Sequence, residues 1–145
     1  MDGAGLERNP TWLPVVALAL ERGDGCWLMH RRPEGKQHGG LWEFPGGKVE
    51  VGEFPALALI REAREELGIE LEAAHLQPLA FADGTGEHGG PGVVILLYKS
   101  TSWSGDPQSL EGGEVGWFPL AQLDLLPKPP LDHELAGMLR LICQQ

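Results

Sequence analysis

The chain has 145 residues, enough for one domain with a substantial core and too few for two of ordinary size. At 42% hydrophobic and 22% charged it reads as globular, and its 21 Gly and 12 Pro predict many turns and short elements, with flexibility confined to the ends, about residues 1–11. A formal charge of -10 excludes a surface built to hold polymeric DNA or RNA, which needs clustered Lys and Arg, but is compatible with a small phosphate ligand bridged by cations.

Cys26 and Cys143 form no metal-ligand pair and would make a sparse disulfide framework, so inert thiols in a reducing cytosol are expected. The opening MDGAGLERNP lacks a basic region followed by a long apolar stretch, and Leu13 to Leu20 contains Pro14 and is far short of a membrane span. The expectation is a soluble, cytoplasmic protein, monomeric or homodimeric, without membrane contact.

In chain order, the apolar run Val15 to Leu20, the turn Arg22-Gly-Asp-Gly25 and the run Cys26 to Arg31 predict a β-hairpin. Residues 33–40 are a polar, Gly-rich loop, and Leu41 to Phe44 is a short extended piece ending at Pro45. Gly46 and Gly47 then permit a sharp turn or the close approach of a ligand. From Pro55 to Leu67 helix formers run unbroken, with Pro in the first turn, where a missing N–H does no harm, and Gly68 placed to end the helix. Strands are predicted at Leu76 to Ala82 and Val93 to Ser100, separated by a Gly-rich loop, and again at Val115 to Phe118. A helical turn at Leu120 to Leu123 and the break Pro127-Lys-Pro-Pro130 precede a last helix, Leu131 to Ile142, with Asp132 near its start. Mixed strands with one internal and one terminal helix predict an α/β fold, a sheet sandwiched between helices.

On the internal helix, Glu62, Glu65 and Glu66 at i, i+3 and i+4 share one face, while Leu59, Ile60, Ala63 and Leu67 gather on another. Like charges at these spacings cost a few tenths of a kcal/mol per i,i+4 pair, so something positive should hold them. Arg61 and Arg64 are within reach and would suffice for an ordinary solvated face. A hard divalent cation is the alternative, because Mg²⁺ takes a few carboxylate and carbonyl oxygens from protein and the rest from water and phosphate.

The surrounding residues favour the cation. Gly47, Glu53, Arg61, Glu62, Ala63, Glu65, Glu66, Gly68 and Ile69 reproduce the complete Nudix box, Gly, five residues, Glu, seven residues, Arg-Glu-apolar-any-Glu-Glu-any-Gly-apolar. At average composition a full accidental match is on the order of 10⁻⁸ per start position. The chain therefore resembles the Nudix family. That resemblance implies an α/β/α sandwich with a mixed sheet between helices. It also implies Mg²⁺, with Mn²⁺ as a substitute, on Glu62, Glu65, Glu66 and the Gly46 carbonyl. Glu53 and Arg61 would pair and brace the loop against the helix.

Outside the box, Arg31-Arg32 and the run Gly40-Leu-Trp-Glu-Phe-Pro-Gly-Gly-Lys-Val-Glu50 look like the MutT branch, and the similarity continues from Glu111 through Trp117 to Asp132. The branch implies hydrolysis of a canonical or oxidised nucleoside triphosphate, such as 8-oxo-dGTP, to a nucleoside monophosphate and pyrophosphate. Glu62, Glu66 and Glu111 are then candidates to take the proton of the attacking water, with Glu53 less suited if Arg61 engages it. Glu111 matches a late Glu that joins the metal site in that branch; otherwise it is an exposed acid beside Gly112 and Gly113. Arg32 would bind phosphate, with Arg31 as a second candidate, and either is otherwise a strand-end charge.

Where the branch has Asn, this chain has Asp132. An ionised Asp only accepts hydrogen bonds, so it suits a base edge presenting N–H groups, such as a guanine edge or the cytosine amino group. Capping of the last helix is its competing role. Trp42, Phe44, Trp117 and Phe118 offer either a stacking wall for the base or core packing, and the five His show no zinc spacing and are given no catalytic part. Two other functions fit the same motif: hydrolysis of another nucleoside diphosphate linked to a group X, such as ADP-ribose or a dinucleotide polyphosphate, and a catalytically silent nucleotide-binding module.

Overall fold

The structure is a computed structural model that describes residues 12–86 and 90–143; the expectation of flexibility for residues 1–11 lies outside the described residues. The elements are β1 (Leu13–Leu20), β2 (Cys26–Arg31), β3 (Trp42–Glu43), β4 (Gly46–Lys48), α1 (Pro55–Leu67), β5 (Gln77–Gly84), β6 (Val93–Ser100), β7 (Glu114–Pro119), α2 (Leu120–Leu123) and α3 (Pro130–Cys143), with a 3-10 turn at Ala73–His75. The strands form a mixed four-stranded sheet, β4-β1-β6-β5, and an antiparallel three-stranded sheet, β3-β2-β7.

β1 is the hub because it is apolar on both faces, the pattern of a strand covered from both sides. Val16, Leu18 and Leu20 point to one core with Ala58, Leu59, Ala63 and Leu67 of α1. Ala17 and Ala19 point to the other, with Leu135, Ala136 and Leu139 of α3. Helices thus cover opposite faces of the mixed sheet, as predicted. Each fully buried Leu in these layers contributes about 1.5–3 kcal/mol relative to leaving it in water.

The predicted hairpin is corrected. β1 and β2 are joined by the expected turn, with Arg22 N–H donating to the Cys26 carbonyl at 2.8 Å, but beyond the single bridge Glu21–Trp27 they part into different sheets. β1 runs parallel to β6 from Leu13–Val93 to Leu20–Ser100, and β2 runs antiparallel to β7 from Cys26–Pro119 to Arg31–Glu114. The turn chemistry is local and was legible; the partners are not local, and full burial of both strands selects them.

α1 keeps its predicted limits. Pro55 opens it, and Gly68 closes it at φ 72°, with its N–H on the Arg64 carbonyl at 3.1 Å, a left-handed ending that glycine adopts without a Cβ penalty. α3 begins one residue earlier than predicted, at Pro130, which puts Asp132 inside its first turn.

Candidate active site

The site begins where β4 passes over α1. Gly46 and Gly47 pair with Ala17 and Val16 of β1, and a Cβ on Gly46 would overlap the Val16 carbonyl oxygen. A Cβ on Gly47 would fall on the carboxylate of Glu62. Gly46 is therefore required by the close approach of β1, whereas a side chain at Gly47 would have to displace the Glu62 carboxylate, and the strand lies directly against the acidic face of the helix.

Arg61 ties the intervening loop to that face. Its Nε donates to Glu53 Oε2 at 2.9 Å and its Nη2 to Glu53 Oε1 at 3.0 Å and to the Lys48 carbonyl at 3.0 Å. Its Nη1 reaches Glu62 Oε2 at 3.1 Å and Glu65 Oε1 at 2.8 Å. Glu53 Oε1 also accepts the Glu50 N–H at 3.0 Å, and the Arg61 guanidinium holds the Glu53 carboxyl below its ordinary range. The brace between Glu53 and Arg61 is as the sequence predicts.

Glu66 is treated differently. Its carboxyl is pushed up to about 8, first by burial and then by the charges of Glu43, Glu62 and Glu111, with only the Gly46 amide working the other way. Its Oε1 is buried without a hydrogen-bond partner. Burial also raises Glu62 against the pull of Arg61, whereas Glu65 is half exposed and bound to Arg61. Glu111, exposed on the loop before β7, adds its charge to the rise of both Glu62 and Glu66.

Among the described residues no three His, Cys, Asp or Glu side chains converge closely enough to hold an ion as they stand, because Arg61 draws Glu62 and Glu65 toward itself. The donor set, however, is all carboxylate and carbonyl oxygen, contains an orphaned buried oxygen, and is closely approached by a glycine backbone. Those are the properties a hard divalent cation requires.

The opposite wall comes from β2, β3 and α3. Arg32 Nε lies 3.7 Å from Glu43 Oε1, so this cation reaches the site. Arg31 does not. Adjacent strand residues face opposite sides, and Arg31 Nε sits 2.9 Å from Glu114 Oε1 across β7, near enough for an ion pair though not aligned as a hydrogen bond. Asp132 is buried in the first turn of α3, and its Oδ2 accepts the Phe44 N–H at 3.1 Å, fastening the end of β3 to α3, while its carboxyl also accepts its own N–H at the start of the helix. Burial pushes Asp132 up to about 6.

Phe44 is only 4% exposed: its ring belongs to the core beneath α3, and what it presents to Asp132 is its backbone N–H. The other aromatic residues do not form one wall. Trp42 packs edge-on against Phe118, with centroids 5.0 Å apart, while Trp117 stacks on Trp103 at 5.7 Å under the Arg22 guanidinium.

Sequence reasoning missed Glu43 and His30. Burial pushes Glu43 up to about 7, with Asp132 adding to the rise and Arg32 opposing it. The available signal was an acid set between Trp42 and Phe44 in an otherwise apolar strand. His30 is buried on β2, its Nδ1 4.0 Å from Glu43 Oε1.

The model of the NUDIX domain matches residues 11–142. The 8-oxo-dGTP diphosphatase of Haemophilus influenzae is 36% identical over 124 residues, 85% of this chain and 88% of that protein. The CTP pyrophosphohydrolase of Escherichia coli K12 is 55% identical over 58 residues, only 40% of this chain and 42% of that protein. Among solved structures, the E. coli ORF135 protein superposes with a TM-score of 0.79 at 32% identity, covering 90% of each chain. The MutT Nudix hydrolase of Burkholderia pseudomallei does so at 0.73 and 32%, covering 90% of this chain and 97% of that one. With the whole box mounted on this loop and helix, and the domain match running almost end to end, the chain belongs to the Nudix hydrolase family, among its MutT-like members.

Proposed function

We propose that the chain acts as one cytoplasmic domain, a Mg²⁺-dependent pyrophosphohydrolase that splits a nucleoside triphosphate into a nucleoside monophosphate and pyrophosphate. The observation that carries this reading is Glu66, a buried acid with an unpartnered oxygen, surrounded by Glu43, Glu62 and Glu111. Carboxylates in that position are costly unless a cation offsets them. Among the described residues no helix is long and apolar enough to cross a membrane.

Glu62, Glu65, Glu66, Glu111 and the Gly46 carbonyl would hold Mg²⁺, for which Mn²⁺ would substitute. When bound, the ion supplies neutralisation of the phosphate charge and eases formation of a nucleophile from water. Arg32, on the rim beside Glu43, binds phosphate. Arg61 keeps β4 and its loop against α1. Glu53, with both oxygens on Arg61 and its carboxyl held low, is a poor proton acceptor, which leaves Glu62, Glu66 and Glu111 to take the proton of the attacking water.

For the base, Asp132 beside Glu43 favours an edge that donates, either the cytosine amino group or a guanine edge. The relatives named CTP pyrophosphohydrolase and 8-oxo-dGTP diphosphatase fall on these two sides. On the second, the protein would sanitise the nucleotide pool.

Pyrophosphate release across CTP, dCTP, GTP, dGTP, 8-oxo-dGTP, ATP and UTP, with ADP-ribose and a dinucleotide polyphosphate as controls, tests the assignment. Glu66→Gln should lower turnover by roughly 10²–10³-fold, the scale of losing one electrostatic contact to the transition state, while circular dichroism stays unchanged. Full activity in that variant, or turnover in EDTA, would sink the metal-site assignment. Nucleotide binding without release from any member would favour the silent module.

A further inference from the structure

His30 is an expensive residue where it stands. It is 5% exposed, and its Nδ1 is buried with no hydrogen-bond partner. An unsatisfied buried polar atom costs about 1–3 kcal/mol, which a leucine at the same place would avoid. Its Nε2 makes the compensating contacts, 3.1 Å from the Gly112 carbonyl oxygen and 3.0 Å from Ser109 Oγ. The carbonyl can only accept, so Nε2 carries the proton and donates to it. The Ser109 hydroxyl is itself committed to the same Gly112 oxygen, so the pair is not an activated serine.

Both contacts fall on the loop that carries Glu111. Before Glu111, the Leu110 N–H also donates to the Glu66 carbonyl at 3.0 Å, and the Gln108 N–H to the Leu67 carbonyl at 3.0 Å. The two neighbours of Glu111 are thus pinned separately, residue 110 to the helix of the acidic cluster and residue 112 to His30. Gly112 and Gly113 have φ of 92° and 84°, and a Cβ on Gly113 would overlap the Arg31 carbonyl oxygen, so the chain can lie this close to β2 only with glycine there.

We propose that His30 is a positioning residue that holds the loop of residues 109–113 against β2 and so fixes Glu111 beside the carboxylates of α1, setting the affinity for the divalent ion. This rests on the metal-site reading above. Residues that orient a ligand from behind typically change metal affinity by about 10- to 100-fold when lost.

The test is Mn²⁺ binding to the full chain without nucleotide, followed by electron paramagnetic resonance, in the parent, His30→Leu, His30→Gln, Glu111→Gln, Glu66→Gln and the double variant His30→Leu/Glu111→Gln. His30→Leu and Glu111→Gln should each weaken binding by about 10-fold or more, and the double variant should be no weaker than Glu111→Gln alone, because both remove the same ligand. His30→Gln, whose amide donor sits at the level of Nε2, should retain the parent affinity and guards against a folding defect in the leucine variant. Parent-like binding by His30→Leu beside a weakened Glu111→Gln, or losses that multiply in the double variant, would overturn the proposal. Parent-like binding by Glu111→Gln beside a weakened Glu66→Gln removes Glu111 from the site and this role with it. Parent-like binding by Glu66→Gln overturns the metal site itself.

Discussion

Asp132→Asn removes one charge from the wall opposite the acidic helix and keeps the hydrogen bond accepted from Phe44, while the residue's own N–H loses a carboxylate acceptor. Asp132 is 7% exposed, and its Oδ2 accepts the Phe44 N–H at 3.1 Å, a bond that the Asn carbonyl can also accept. Burial outweighs that bond and the attraction of Lys128 and Arg32, so the carboxyl is raised from 3.8 to about 6. The folded state therefore holds a proton that the unfolded chain has already lost. Well below the unfolded value of 3.8 both states are protonated and the residue costs nothing; as pH rises through 3.8 toward 6 folding forces the proton to stay or the charge to be buried, and stability falls. A rise of that size corresponds to about 3 kcal/mol, fully lost by pH 7 and constant above it. Part of the effect passes through Glu43, which Asp132 raises. Urea unfolding followed by tryptophan fluorescence from pH 4 to pH 8, in EDTA at fixed ionic strength, measures it. Because Glu43 and Glu66 also titrate, the informative quantity is the difference between variant and parent. That difference should be small near pH 4 and reach about 3 kcal/mol in favour of Asp132→Asn by pH 7. A difference that stays constant across this range would refute the burial argument.

Gly47→Ala should weaken Mn²⁺ binding by about 10-fold or more in isothermal titration with little change in unfolding temperature, because the strand is fixed by β1 and the Glu62 carboxylate must move instead. Phe44→Ala should cost about 3–5 kcal/mol in urea unfolding, the loss expected of a buried ring. A raised KM with unchanged stability in that variant would return Phe44 to the substrate pocket.

What could be read from the sequence was whatever is decided within a few residues. The ends of α1 depend on Pro55 and on Gly68 at φ 72°, and its two faces follow from helical periodicity, so both the core stripe and the acidic stripe were legible. The partner of β1 was not, because β6 lies far along the chain, and a strand buried on both faces carries no mark of which edge it pairs with. Arg31 closes β2 and Arg32 follows it, but only their neighbours, Glu114 of β7 opposite Arg31 and Glu43 beside Arg32, decide which one reaches the site. Phe44 illustrates a different limit: its ring packs in the core beneath α3 while its N–H is the group that meets Asp132, and a residue type alone does not separate the two. Glu43 and His30 acquire their chemistry only when β2, β3 and the loop before β7 meet.

The repulsion expected among three glutamates on one helix face is resolved in two ways within one cluster. Glu62 and Glu65 remain within hydrogen-bond reach of Arg61, which spans them and Glu53 at once. Glu66 lies one turn beyond Glu62, too deep for that guanidinium, and its carboxyl is driven up to about 8 instead. Burial and Arg61 together account for the difference: Glu65 is half exposed, Arg61 opposes the effect of burial on Glu62, and Glu66 takes burial and the charges of Glu43, Glu62 and Glu111 with no arginine to oppose them. A cation arriving at Glu66 would meet an acid that has no arginine to give up and one oxygen free to bind it. The loop–helix unit thus keeps Glu62 and Glu65 occupied by its own arginine and leaves Glu66 Oε1 unpartnered, and it is this inner oxygen that ranks the cluster as a binding site rather than a charged surface.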